Sequence, residues 1–315
     1  MLSAWITGAH GFIGRHLARR LRVGGYRVAG IGHGVWPDAE AAQWGVSSWL
    51  NAEISACSLG QLRHSFGLPD VVFHLVGGSS VGAAIVNPYE DFTSTVVSTA
   101  DMLEWLRQHS PAARVVAASS AAVYGSSQRG PIAEDTRLLP VSPYGAHKLM
   151  MEELCRSYAA NFGLQVVLPR LFSVYGSGLK KQLLWDLCGK LAAGRVIELG
   201  GSGDELRDWI DVRDVARGLE EVVKFAGIQT PAINLASGTP TSVREIAATV
   251  MAHWDDAGLA PRAVTFSGRS RPGDPFSLVA DVAQMRACGI DTRIPVAQGI
   301  AEYVAWYRAQ AGAIS

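Results

Sequence analysis

The sequence predicts an α/β protein with a doubly wound parallel sheet and a smaller C-terminal lobe. Three observations carry this. Short apolar runs alternate with helical patterns through the first half of the chain, and a glycine-rich turn joins the first strand to the first helix. Beyond about residue 175 the alternation loosens, and glycine and polar residues cluster at 200–204, 237–241 and 267–274. Strands that alternate with helices favour parallel pairing through right-handed crossovers. The 315 residues suffice for a large core and a second lobe. We assign 1–172 to the sheet unit, with parts of 210–240 returning to it, and 173–315 mainly to the second lobe.

The elements follow in order. Residues 2–7 read as a strand, Phe12–Val23 as a helix and 27–31 as a second strand. The stretch 33–49 fits loop or helix. Residues 71–75 form an apolar strand, 89–109 a long helix, and 114–119 the next strand. A helix over 143–161 leads into the strand Gln165–Leu171. Later helices are expected at 212–225, 242–254 and 295–311.

Composition excludes several classes. Hydrophobic residues make up 48% and charged residues 18%, so the chain folds. Zero formal net charge argues against a nucleic-acid partner, though a few arginines can bind a diphosphate without moving that balance. Cys57, Cys155, Cys188 and Cys288 form no C-x-x-C pair and suit a reducing compartment. With no secretory leader pattern and no membrane-length apolar run, a cytoplasmic location is expected.

Gly8-Ala9-His10-Gly11-Phe12-Ile13-Gly14 follows the first strand and opens the first helix. Gly8 allows a tight turn, Gly11 lets backbone approach a pyrophosphate, and Gly14 lets the helix pack on the strand. The N–H groups of the first helical turn, at Phe12 and Ile13, face the anion. A carboxylate at the end of the second strand would hold an adenosine ribose, but Gly32 stands there, followed by His33. The small residue leaves room for a 2′-phosphate that His33 could contact. That favours NADP(H), with NAD(H) as the other choice.

Tyr144 and Lys148 lie four residues apart on one helical face. A nearby ammonium favours a phenolate, which can exchange a proton with an alcohol or carbonyl oxygen as hydride moves. Lys148 could also hold the nicotinamide ribose. Ser120 follows a buried-looking strand; it could orient the reacting oxygen or simply cap a turn.

The Gly8 loop, SSAAVYG at 119–125 and YGAHK at 144–148 together resemble the extended short-chain dehydrogenase/reductase family of sugar-nucleotide epimerases, dehydratases and reductases. The resemblance spans nearly the whole chain. It implies a Rossmann sheet with a C-terminal substrate-binding lobe and a catalytic Ser120, Tyr144 and Lys148. HLVGGSSV at 74–81 is similar to the family's nicotinamide-side segment, which implies a cofactor role for Leu75 and a substrate role for Ser79. RLFSVYGSG at 170–178 resembles the family's R-x-x-N-x-Y-G segment, and RDWIDVRDVA at 207–216 and RPGD at 271–274 resemble its nucleotide-sugar segments. They imply substrate contacts from Ser173, Arg207, Arg271 and Asp274. Arginine suits a diphosphate because its guanidinium forks. The partner implied is a nucleotide-diphosphate sugar, and the family implies a homodimer through the helices at 89–109 and 143–161, although Leu149, Met150 and Leu154 would serve a core equally well.

Departures from the family narrow the chemistry. The dehydratases carry Asp-Glu where this chain has Ala121-Ala122, and methyl groups move no protons, so dehydration and decarboxylation by the usual route are excluded. Ser173 and Thr95 stand where the family has asparagines, so the sugar is not transferable. Two functions remain. An NADPH-dependent 4-keto-6-deoxysugar-nucleotide reductase is favoured by Gly32, His33 and the 207–216 segment. A NAD-dependent 4-epimerase is favoured by SSAAVYG and RPGD. A non-catalytic dinucleotide sensor on the same fold is opposed by the intact Ser120, Tyr144 and Lys148.

Overall fold

The computed structural model describes residues 1–126, 130–194, 196–254, 264–269 and 276–312. The chain opens with β1 (Ser3–Thr7), α1 (Phe12–Val23), β2 (Arg27–Gly32), α2 (Asp38–Gln43) and β3 (Ser48–Asn51). Then come α3 (Ala56–Phe66), β4 (Val71–His74), α4 (Val81–Val86) and α5 (Pro88–Phe92). A π-helical turn (Thr93–Val97) joins α5 to α6 (Ser98–His109). Next are β5 (Arg114–Ala117), β6 (Ser119–Ser120), a 3-10 turn (Ala121–Tyr124), α7 (Pro143–Phe162) and β7 (Gln165–Leu171). The stretch left open between loop and helix thus holds both a short helix and the run into a strand.

These strands form one sheet in the order β11-β7-β5-β4-β1-β2-β3, with β6 also on β7 and β11 at Ala232–Leu235. All its named strand pairs are parallel. This confirms the Rossmann-type α/β fold. Residues 232–235 pair with β7 at the end of this sheet. Pro169 lacks an N–H; the ladder from β5 runs to Val167 and resumes through β6 at Arg170. Ser119 and Ser120 thus pair with Arg170 and Leu171 at the carboxyl ends of the strands.

The remaining elements are β8 (Ser173–Tyr175), α8 (Gln182–Ala192), β9 (Ile197–Leu199), β10 (Leu206–Asp211) and α9 (Val212–Val222). They continue with β12 (Pro240–Ser242), α10 (Val243–Trp254), β13 (Val264–Phe266), β14 (Ser277–Leu278), α11 (Ala283–Ala287) and α12 (Val296–Gly312). Strand β10 runs between β12 and β14 and also pairs β8, and β9 pairs β13. Helix α8 was not evident in the sequence reading, although Leu184, Leu187, Cys188 and Leu191 line one buried face of it.

Two cores cover the faces of the large sheet, one around Ile6, Leu17, Phe73 and Leu219, the other around Trp5, Leu62, Leu103 and Val166. A third, around Leu187, Ile246, Ile300 and Tyr303, fills the C-terminal lobe. Helix α1 packs on α9, and Arg20 pairs with Glu220 at 2.5 Å. Helix α7 begins where Ser142 Oγ accepts the Gly145 N–H at 3.2 Å, has Pro143 in its first turn, and ends at Gly163 with φ 75°.

A buried charge network ties this helix to the sheet. Arg170 donates to both Glu152 oxygens at 3.0 and 2.8 Å, and to the Tyr124 hydroxyl and the Glu134 carbonyl at 2.9 Å each. Ser119 Oγ donates to Glu152 at 2.6 Å, and Tyr124 donates to Asn234 Oδ1 at 2.7 Å. Burial pushes the Glu152 carboxyl up, but bonds and charge from Arg170, with Ser119 and Arg156, outweigh it and hold it below its ordinary value. Glu152→Gln leaves the Arg170 guanidinium buried without its counter-charge. Its expected cost is about 3–5 kcal/mol, read as a lower urea midpoint. A cost under about 1 kcal/mol would mean that the network rearranges to satisfy Arg170.

Candidate active site

The carboxyl ends of β1, β4 and β6 open onto a cleft of about 1440 Å³ between the sheet and the C-terminal lobe. Gly8, Gly11, Phe12, Ile13 and Gly14 border it at one end, with Gly32 and His33 beside them. Gly8 has φ 75°, a conformation that favours glycine. A Cβ on Gly11 would lie 3.1 Å from the Gly8 carbonyl, and one on Gly14 would lie 2.7 Å from Ala9 Cα and overlap Gly8 O. The loop is therefore bare backbone wound tightly against a helix start, a shape that fits a dinucleotide pyrophosphate. His33 is exposed, and its carbonyl accepts from His10 Nδ1 at 3.3 Å. Behind Gly32, Trp49 Cη2 stands 3.4 Å from where a Cβ would be.

Leu75 and Ser79 border the cleft next to the glycine loop. Their segment is held by a buried chain of side chains. His74 Nε2 lies 3.0 Å from Thr99 Oγ1, whose proton goes to the Thr95 carbonyl at 2.6 Å. Nε2 must then be the donor, which leaves Nδ1 to accept from Thr7 Oγ1 at 2.9 Å. Burial first, then the charge of Lys148, pushes His74 down to about 3, so the ring is neutral. Thr95, in place of the family's amide, accepts the Gly78 N–H at 2.8 Å.

Ser120, Tyr144 and Lys148 all border the cleft. Ser120 caps the 3-10 turn by accepting the Ala122 N–H at 3.2 Å, and its side chain also hydrogen-bonds Tyr144. The same hydroxyl thus makes both the turn cap and a contact with Tyr144. Lys148 is buried and donates to the Ala118 carbonyl at 3.0 Å. Burial lowers it to about 8, against the charges of Asp91, Glu152 and Cys155. One expectation is corrected: the Tyr144 phenol is not lowered here. Burial raises it, Asp91 adds to the rise, and the Ser120 hydrogen bond opposes it.

The lobe closes the far side. Ser173, Arg207 and Trp209 border the cleft from β8 and β10, which pair in register at Ser173 and Trp209. Arg207 donates to the carbonyls of Leu206 at 2.9 Å and Phe276 at 3.3 Å. Buried Asp208 accepts from the backbone N–H groups of Ser237, Gly238 and Ala280, which fixes this strand to two loops. Arg271 and Asp274 lie outside the described residues. The sequence reading missed Lys181 and Gln182, which border the cleft where α8 begins. The signal was present as a basic pair, Lys180-Lys181, before an apolar helical run. Burial lowers Lys181, as expected of an ammonium drawn in from solvent. Among the described residues no cluster of His, Cys, Asp or Glu is placed to hold a metal ion, and no helix is long and apolar enough to cross a membrane.

The model of the NAD dependent epimerase/dehydratase family matches residues 4–236. The chain belongs to that family. Among its relatives, a UDP-glucose 4-epimerase of Pisum sativum is 30% identical over 89% of this chain and 87% of its own length. A putative UDP-glucose 4-epimerase of Methanocaldococcus jannaschii is 26% identical over 96% and 97%. The solved structure of MoeE5 in complex with UDP-glucuronic acid and NAD is 30% identical, with a TM-score of 0.85 over 98% of this chain and 99% of that one. The complex of a Thermus thermophilus UDP-glucose 4-epimerase with NAD is 25% identical, with a TM-score of 0.86 over 98% and 99%. This chain is thus an enzyme of the extended short-chain dehydrogenase/reductase type.

The backbone overlap at Gly14 generates a stability prediction. Gly14→Ala should cost about 1–3 kcal/mol by overpacking, read as a lowered thermal midpoint. Gly60→Ala, where a Cβ meets nothing within 4 Å, should leave the midpoint unchanged or raise it.

Proposed function

We propose that this enzyme is a UDP-sugar 4-epimerase that works with NAD. The observation that carries the reading is the meeting of Ser120, Tyr144 and Lys148 beside Ala121 and Ala122. The group that moves a proton at C4 is present, and the carboxyl groups that would eliminate water are not. Curated relatives named as UDP-glucose 4-epimerases support it, as do solved relatives holding NAD with UDP-glucuronic acid or UDP-glucose.

The residues divide the work. The free N–H groups of the first turn of α1, at 12–14, would hold the pyrophosphate of NAD, and Leu75 would lie at its nicotinamide end. Bound NAD supplies an acceptor, and then a donor, for the hydride at sugar C4. Tyr144 Oη takes the C4 hydroxyl proton as the hydride leaves C4, giving a 4-keto sugar. Turning over of the keto sugar in the cleft would present its other face to the hydride that the cofactor would return. Tyr144 then gives the proton back to the C4 oxygen, and no net redox change results. Ser120 orients that oxygen, and Lys148 holds the nicotinamide ribose and favours the phenolate at the moment of transfer. Arg207 faces the diphosphate, with Ser79 and Ser173 near the sugar. Exposed Val97, in the π-helical turn before α6, and Met150, on α7, suit a homodimer through these helices.

A second reading, the NADPH-dependent 4-keto-6-deoxysugar reductase, is favoured by one observation: glycine and not a carboxylate ends β2. Purified protein incubated with UDP-glucose, UDP-glucuronic acid or UDP-N-acetylglucosamine, with no added reductant, separates the two. We expect the matching 4-epimer by chromatography, and Tyr144→Phe should slow its formation by about 10²–10⁴-fold while KM stays near the parent value. No epimer from these substrates, together with NADPH consumption on a 4-keto-6-deoxysugar nucleotide, would replace the epimerase with the reductase.

A further inference from the structure

We propose that Asp91 and His147 form a positioning pair for the reacting centre, in which His147 clamps a buried carboxylate against the Gly77–Gly78 turn that the Lys148 ammonium also borders. The role rests on reading Tyr144 and Lys148 as the reacting pair.

His147 Nδ1 lies 2.6 Å from Asp91 Oδ2. A carboxylate only accepts, so Nδ1 carries the proton. Asp91 is 6% exposed and the His147 side chain 12%. The His147 ring meets Phe92, the neighbour of Asp91 on α5, edge-on with centroids 5.5 Å apart. The other carboxylate oxygen presses on the adjacent turn: a Cβ on Gly78 would overlap Asp91 Oδ1, and one on Gly77 would lie 3.2 Å from Lys148 Nζ. Carboxylate and ammonium thus flank two consecutive glycines that have no side chains to keep them apart. Neither Asp91 nor His147 is among the residues bordering the cleft, so the pair acts through Lys148.

The charges around Lys148 give the pair its purpose. A buried ammonium persists only beside an anion. Tyr144, His147, Glu152 and Cys155 face the region from α7, neutral His74 from β4, and Asp91 from α5. Glu152 is engaged by Arg170 and Arg156. Asp91 is held by a histidine, and it opposes the desolvation of Lys148 more than any other charge. Removing its charge disfavours the ammonium, so Lys148 loses its proton at lower pH.

The sequence contains five lysines. Carbon-13 labelling at lysine Cε therefore gives a spectrum of few signals, and Lys148→Met identifies the one in question. In the full-length protein the Lys148 midpoint is expected near about 8. Asp91→Asn should lower it by about one pH unit or more. His147→Leu should lower it by less, and His147→Gln, whose amide can still donate to Asp91, should keep it near the parent value. Circular dichroism checks that each variant is folded. If Asp91→Asn does not fold, the contrast between His147→Leu and His147→Gln decides. A Lys148 midpoint unmoved in every folded variant that alters the pair overturns the proposal. The titration uses no sugar nucleotide, so an absence of epimerase activity would refute the proposed function and leave this result standing.

Discussion

The ion pair between Arg170 and Glu152 is the interaction on which the rest of the site depends. Both side chains are almost wholly removed from water, 2% and 0% exposed. Such a pair is costly to bury and more costly to break, so it survives only with its remaining hydrogen bonds filled. Here they are filled by the elements that make the cleft. Ser119 comes from the strand that carries Ser120, and Tyr124 from the turn that follows; Tyr124 in turn donates to Asn234, on the strand that returns late in the sequence. Glu152 lies one helical turn beyond Lys148 on α7. Satisfying one buried guanidinium thus fixes α7, the serine turn and, through Tyr124, the sheet edge relative to each other.

The electrostatics of the centre follow from the same enclosure. Burial raises the Tyr144 phenol and lowers the Lys148 ammonium, so both groups are pushed toward their neutral forms. Neutral groups are poor at stabilising charge that develops at a reacting oxygen. Asp91 favours the charged lysine but disfavours the phenolate, and the Ser120 hydrogen bond recovers part of that loss. The site is a balance among four neighbouring groups, not the property of a tyrosine and a lysine alone.

Much of this was legible in the sequence, for physical reasons. The glycine loop, Ser120 and the Tyr144–Lys148 spacing are local patterns whose geometry follows from strand ends and helical pitch, and all of them border one cleft. Helix α1 and strand β7 matched their expected bounds because their periodicity is uninterrupted. What escaped was non-local or disguised. The Asp91–His147 contact joins residues 56 apart in sequence, and no spacing rule reveals it. Helix α8 begins on Gln182 at φ 65° after a basic pair, without the polar cap that marks a helix start. The phenol shift was misjudged because spacing gave the neighbouring ammonium but not the depth of burial.

The packing of α1 on α9 also bears on how the chain emerges during synthesis. Leu17, Ala18 and Leu21 face a helix that ends at Val222, and Arg20 waits two hundred residues for Glu220. At roughly 5–20 residues per second, that interval lasts about 10–40 s. Through it the first helix has an uncovered apolar face, and β7 has an open edge until Ala232–Leu235 arrives. Parallel pairing over such separations is intrinsically slow. The sheet is therefore completed only when its late edge strand, Ala232–Leu235, has been made.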